Sequence, residues 1–331
     1  MAKLYVSITV DWEGEHFRDL GDLHEARASI QHSLGARTPL THYICPSYWL
    51  EPHASLDPAR AIRSAVTKGD ELALHVHCWR ALVEFAGVRV RDDVDWNNDG
   101  TGHGVPLGVY EGNAQAILAA ARELLQRKLG ATVWGFRCGG AMTCDGVFEA
   151  LMALGFRYDC SALPPVIMSR GYRPGGRRGN LRDTLGCRNA IAGYQVDLWG
   201  DKPMRAVERA NALNLEATGG RAVAPTTRPY VVRSGERSIL EMPVNGGLSD
   251  YASAEYMTKT FDELLELARV GDAPMFFNIG CHQEGAGRWK KPLMDFCHRR
   301  RRELNSEAVV LTTVAKAAKV AARSQHLGEA A

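Results

Sequence analysis

Apolar positions along the chain follow two rhythms, one of period two and one of period near 3.6, and the two take turns from one end to the other. Lys3–Val10 reads as a strand with unlike faces, since Ser7 and Thr9 alternate with Val6, Ile8 and Val10. A polar stretch with helical spacing follows around Leu20–Leu34. Pro39–Cys45 reads as a second strand, and Asp57–Lys68 as a helix with Asp57-Pro58 as cap and first turn. Asp70–His77 is a third strand. Asn113–Leu129 is the clearest helix, because Ile117, Leu118, Ala121, Leu124 and Leu125 form one stripe and Gly130 stops it.

Further strands are predicted at Thr132–Arg137, Phe156–Ser161, Ser238–Val244, Pro274–His282 and Ala308–Leu311. Helices are predicted at Asp145–Leu154, Ala254–Val270 and Lys291–Leu304. Residues 78–112 and 164–235 read as irregular excursions, and 323–331 as a disordered tail. Repeated β-then-α units predict an α/β fold with a parallel sheet, and the count suits one (β/α) barrel of seven or eight strands over residues 1–331. A doubly wound open sheet is the competing architecture. No G-x-G-x-x-G follows the first strand, so a dinucleotide fold has little support.

Composition narrows the class without naming an activity. The chain has 331 residues, 45% hydrophobic and 24% charged, which excludes disordered, collagenous and disulfide-knot classes. Lys and Arg number 40 against 38 Asp and Glu, a net +2 that argues against a nucleic-acid binder. The opening MAKLYVSITV alternates into Asp11 and does not read as a secretory signal, and no apolar run reaches membrane-helix length. Eight scattered cysteines without a CxxC pair fit reduced thiols. A cytoplasmic protein without a transmembrane segment is expected.

The reactive residues fall at strand ends. Asp11 and Glu13 end the first strand, His75 and His77 the third, Arg137 the fourth, and His282 a late one; Asp159 lies near the end of the fifth. In a (β/α) barrel that end carries the active site. Alternation also puts them on common faces: Ser7, Thr9, Asp11 and Glu13 together, then Glu71, Ala73, His75 and His77, then Asn278 and His282. A carboxylate with two histidines suits a divalent metal, above all Zn2+, with open positions for water and substrate. A second carboxylate could serve as general base and a separate histidine as general acid.

These motifs, in this order, resemble the polysaccharide deacetylases of carbohydrate esterase family four. SITVDWEG resembles the first motif, GDELALHVHCW the second, WGFRCGG with FEALMALGFRYDCS the third, SILEMPV a following strand, and FFNIGCHQEG the last. The resemblance implies a distorted (β/α) barrel and hydrolysis of an N-acetyl group by metal-activated water. It makes Asp11 the base, Glu13, His75 and His77 the metal ligands, Arg137 the support of Asp11, and His282 the acid. The chain departs from the pattern at Trp12 between the two acids, at Trp79 four residues after His75, and at Cys138-Gly139-Gly140 after Arg137.

The implied substrate is an N-acetylated amino sugar or glycoconjugate precursor. Trp79 and Asn278 are candidates for contacting it. Arg177 and Arg178, within a run that also holds Arg170, Arg173, Arg182 and Arg188, are candidates for a phosphate on the sugar. A second basic cluster, Arg299–Arg302, reads as a solvated helix face. The rival readings are another C–N hydrolase on the same scaffold and a metal-poor protein that only binds carbohydrate.

Overall fold

A computed structural model describes residues 2–13, 20–34, 38–50, 57–91, 105–141, 143–164, 212–221, 223–250, 252–283 and 286–325. Arg177, Arg178 and the other arginines of that run lie outside the described residues, as do Trp199, His103 and Cys187. The strands are β1 (Leu4–Trp12), β2 (Leu40–Ile44), β3 (Glu71–Cys78), β4 (Val105–Pro106), β5 (Gly135–Cys138), β6 (Tyr158–Asp159), β7 (Tyr230–Ser234), β8 (Arg237–Glu241), β9 (Gly247–Leu248), β10 (Met275–His282) and β11 (Val309–Leu311).

Eight of them pair in parallel in the order β8-β6-β5-β3-β2-β1-β10-β9, the backbone of a curled sheet. This is a β/α architecture with a mainly parallel sheet, open rather than closed among the described residues, since the path runs from β7 to β9. β7 adds an antiparallel edge to β8, and β4 lies antiparallel to the end of β3. β1 lies inside the sheet, between β2 and β10. It pairs with β10 along one edge, and along its other contacts with β2 over residues 8–12 and β11 over residues 4–6.

The helices are α1 (Gly21–Leu34), α2 (Pro58–Ala65), α3 (Arg80–Phe85), α4 (Ala114–Leu129), α5 (Asp145–Ala153), α6 (Ala212–Ala217), α7 (Ala254–Val270), α8 (Ala286–Arg299), α9 (Arg301–Leu304) and α10 (Val314–Ser324). Their ends follow local chemistry. Asp57 accepts the Ala59 N–H at 3.0 Å and caps α2, and Ser253 caps α7 through the Tyr256 N–H. Gly130, at φ +70°, closes α4 in the left-handed conformation that glycine adopts without strain.

The α4 stripe expected from sequence is buried, and α7 buries Met257, Phe261, Leu264, Leu265 and Ala268. Phe261, Phe277 and Phe296 tie α7, β10 and α8 together with ring centroids 5.6–5.7 Å apart. Aromatic contacts of this kind add about 0.5–1.5 kcal/mol per pair beyond their buried area. One core cluster runs from Leu4 to Ala321.

Several boundaries differ from the sequence expectation. Residues 78–112 carry α3 and the turn leading into α4, and 164–235 carry α6 and β7. The expected helix Lys291–Leu304 begins at Ala286 and breaks between Arg299 and Arg301, giving α8 and α9. The expected tail is helical through Ser324; residues 326–331 lie outside the described set. The described cysteines are all buried, and none forms a disulfide among the described residues. Among the described residues, no helix is long and apolar enough to cross a membrane.

Candidate active site

Asp11 and Arg137 form the innermost ion pair. Alternation along β1 turns Ser7, Thr9 and Asp11 inward, and β5 brings Arg137 beside His75 of β3. Arg137 Nη1 donates to Asp11 Oδ1 at 2.6 Å and to Thr9 Oγ1 at 2.8 Å. Its Nε donates to the Cys160 carbonyl at 2.8 Å and its Nη2 to Cys160 Sγ at 3.3 Å. The guanidinium also lies 4.2 Å over the Tyr43 ring. Burial pulls the Arg137 pKa down, but attraction to Asp11 and its other neighbours outweighs burial and moves it up. The cation is therefore permanent, and Asp11 is held by a fixed positive charge.

The second cluster is Glu13, His75 and His77. All three are buried, and one ligand atom of each falls within 4.8 Å of the others. Strand alternation explains how an i, i+2 pair reaches one point, because Val76 alone turns to the core. The two imidazoles meet edge to face at 4.8 Å. His77 Nε2 lies 2.5 Å from Glu13 Oε2, and His75 Nε2 lies 3.9 Å from the same oxygen.

His75 Nδ1 stands 2.9 Å from the Arg137 carbonyl, which can only accept, so Nδ1 carries the hydrogen. Its Nε2 faces Glu13, 3.9 Å from Oε2, and makes no hydrogen bond among the described residues. A histidine fixed through one nitrogen with the other bare is the arrangement a metal ligand needs. Oxygen–nitrogen–nitrogen donors with one carboxylate suit zinc or another divalent ion. The residues fit such an ion. Burial lowers the His75 pKa, but the Glu13 and Asp11 carboxylates outweigh it and the net displacement is upward.

Two neighbours hold this cluster in place. The Trp79 indole donates to the Glu13 carbonyl at 2.8 Å, and the ring is buried with its centroid 6.5 Å from that of His77. Trp79 thus supports Glu13 from behind. Gly139 lies flat against His77: a Cβ there would come within 2.6 Å of the imidazole.

His282 faces Asp11 in the β1–β10 register. Its Nδ1 lies 2.9 Å from Asp250 Oδ2, which also accepts the His282 backbone N–H at 3.1 Å. Its Nε2 lies 3.0 Å from Glu13 Oε1. Carboxylates only accept, so both contacts are satisfied as hydrogen bonds when each ring nitrogen carries a hydrogen. That is the proton-loaded form a general acid requires.

Asp250 is absent from the sequence reading. It follows the two-residue strand β9, too short to show periodicity, although the strand-end rule that found the other residues applies to it. Asn278 is buried and donates from Nδ2 to the Pro243 carbonyl at 2.9 Å, while its backbone N–H donates to Asn245 Oδ1 at 3.0 Å. It fastens β10 to the segment before β9. The Cys138 N–H donates to Ser161 Oγ at 2.8 Å and is not directed at the site. Arg300 of the second basic cluster pairs with Asp262 on the surface.

No family model matches the chain, and no curated protein matches it. Solved structures do. A protein described as a polysaccharide deacetylase from Mycobacterium smegmatis superposes with a TM-score of 0.52 at 13% identity, covering 98% of this chain and 92% of that one. PuuE allantoinase gives 0.50 at 13% identity over 98% and 91%. A protein described as a polysaccharide deacetylase from Pseudomonas aeruginosa PAO1 gives 0.50 at 13% identity over 97% and 92%. The fold is polysaccharide deacetylase-like.

Proposed function

We propose that this chain is a divalent-metal-dependent hydrolase of non-peptide C–N bonds that removes an N-acetyl group from an amino sugar or glycoconjugate precursor. The observation that carries the reading is the meeting of three units at one end of the sheet: Asp11 on Arg137, Glu13 with His75 and His77, and His282 on Asp250. A divalent ion held by Glu13, His75 and His77, Zn2+ being the best match to these donors, would polarise the amide carbonyl and acidify a water.

The chain's own groups supply the rest. Asp11 takes the proton of the attacking water, and Arg137 holds that carboxylate in place through its 2.6 Å contact. His282 hands a proton from Nε2 to the departing nitrogen, while Asp250 holds the ring through Nδ1. Burial of the whole group strengthens these interactions relative to water.

The test is zinc titration of chelator-stripped protein followed by an acetate-release assay on a panel of N-acetylhexosamines, free and phosphate-linked. Zinc-dependent acetate release that Asp11→Asn abolishes supports the reading, with zinc binding retained. His75→Ala is expected to lose both binding and turnover. Tight sugar binding with neither zinc nor turnover would support a carbohydrate-binding protein instead.

A second reading is hydrolysis of a cyclic amide on the same scaffold. It draws on the allantoinase among the like-folded structures. Ring opening yields one product heavier by one water and no acetate, so mass spectrometry separates the two.

A further inference from the structure

The floor of the site holds two buried carboxyl groups that the chemistry above does not use. Asp159 ends β6 and Glu241 ends β8, and the two are register partners on adjacent parallel strands, both fully buried. Each gives one oxygen to the chain that follows β6. Asp159 Oδ1 accepts the Cys160 N–H at 2.9 Å and the Ser161 hydroxyl at 2.6 Å. Glu241 Oε1 accepts the Ser161 N–H at 3.1 Å and the Ala162 N–H at 3.0 Å.

The remaining oxygens, Asp159 Oδ2 and Glu241 Oε2, receive no donor among the described residues, and the two residues stand opposite each other in the β6–β8 register. Two carboxylate oxygens cannot hydrogen-bond without a hydrogen between them. Two adjacent buried negative charges are also unfavourable.

No other group among the described residues resolves this. Arg137, from β5, directs its donors to Asp11, Thr9 and Cys160. Tyr230, from β7, donates its hydroxyl to Asn214. Cys138 of β5 and Cys160 are the other titratable neighbours, and burial pushes the thiol of each up, so they stay neutral.

We propose that Asp159 and Glu241 form a one-proton carboxyl pair that positions Arg137, and through it Asp11. The pair clamps residues 160–162. That segment supplies the carbonyl that receives Arg137 Nε and the hydroxyl that receives the next residue's N–H. Burial raises both acids; repulsion from Asp159 raises Glu241 further, while hydrogen bonds and Arg137 hold Asp159 back. The pair therefore holds one proton between its two carboxyl groups. The positioning role rests on the reading of Asp11 as base, whereas the shared proton does not.

Infrared spectroscopy tests the proton directly. Wild-type protein at neutral to mildly alkaline pH should show the C=O stretch of a buried protonated carboxyl, lost in Glu241→Gln. Absence of that band, or its persistence in the variant, overturns the pair whatever the substrate proves to be. Kinetics test the positioning. Glu241→Gln offers Asp159 an N–H and keeps a carbonyl for residues 161 and 162, so kcat should stay near wild type.

Glu241→Ala should lower kcat about 100-fold with KM little changed, the scale of a roughly 1 Å misplacement. Ser161→Ala, which cuts the link without creating a large cavity, should fall in the same direction and serves if Glu241→Ala does not fold. Equal kcat losses in the Gln and Ala variants would overturn positioning. If the infrared band behaves as expected and wild type shows no hydrolase activity, the function has failed and the pair has not.

Discussion

Removing the Arg137 side chain as Arg137→Met leaves Asp11 buried with no cation. Both partners are almost fully enclosed, at 4% and 3% side-chain exposure, with 2.6 Å between them. Breaking such a pair from one side costs about 3–5 kcal/mol, because the remaining charge stays desolvated. The stacking on Tyr43 adds about 1–2 kcal/mol for a desolvated cation. Overlap between the two gives a loss of roughly 4–6 kcal/mol against a typical total of about 5–15 kcal/mol. At about 2–4 °C per kcal/mol, Tm should drop on the order of 10 °C.

Urea unfolding followed by circular dichroism measures the loss for Arg137→Met, Asp11→Asn and the double variant. The double variant should recover a large part of it, since neither charge is then stranded. A loss in the single variant under about 1 kcal/mol, as for a surface bridge, would refute the account. So would a double variant no better than Arg137→Met.

Gly139→Ala should displace the His77 imidazole, destabilise by about 1–3 kcal/mol through overpacking, and weaken zinc binding by titration. Asp250→Ala removes the acceptor at His282 Nδ1 and should lower kcat/KM about 10²–10⁴-fold, read by kinetics beside thermal melting. Acidification should destabilise in two steps. Burial, the largest influence, holds the His42 pKa below 6.5, and Trp12 donates to its Nδ1, so stability is full above pH 6.5 and declines as the pH falls beneath it. Burial would raise Asp70, but hydrogen bonds from His42, Arg27 and backbone N–H groups hold it below its usual 3.8, so a further loss follows below that pH. Stability that stays flat between pH 6.5 and about 5 in urea titrations would contradict the His42 step.

The long elements were legible because they repeat a period several times. β1, β3 and β10 have eight or nine residues each, and their alternation correctly put Asp11, His75, His77 and His282 on inward faces. Short elements carry no period. β6 and β9 have two residues each, so β9 and the Asp250 after it went unread. β7 had a signal in the Gly235 turn before β8, with φ +59°, where a left-handed glycine marks a hairpin. α10 was missed for another reason: its buried face is Val314, Ala317, Ala318 and Ala321, small residues that make a weak stripe. Partnership is the least legible of all. That Glu241 lies opposite Asp159 is a matter of strand order, which no local pattern encodes.

The pairing of β1 with β10 has a consequence for biosynthesis. Residues 4–12 leave the ribosome early, yet the strand that covers one whole edge of β1 is residues 275–282. At about 5–20 residues per second, the nascent chain waits roughly 15–50 s with that edge uncovered. An uncovered edge invites pairing with other chains, and distant contacts of this kind form slowly. Ribosome-bound fragments ending before residue 275 should therefore be sensitive to protease where the released protein is not.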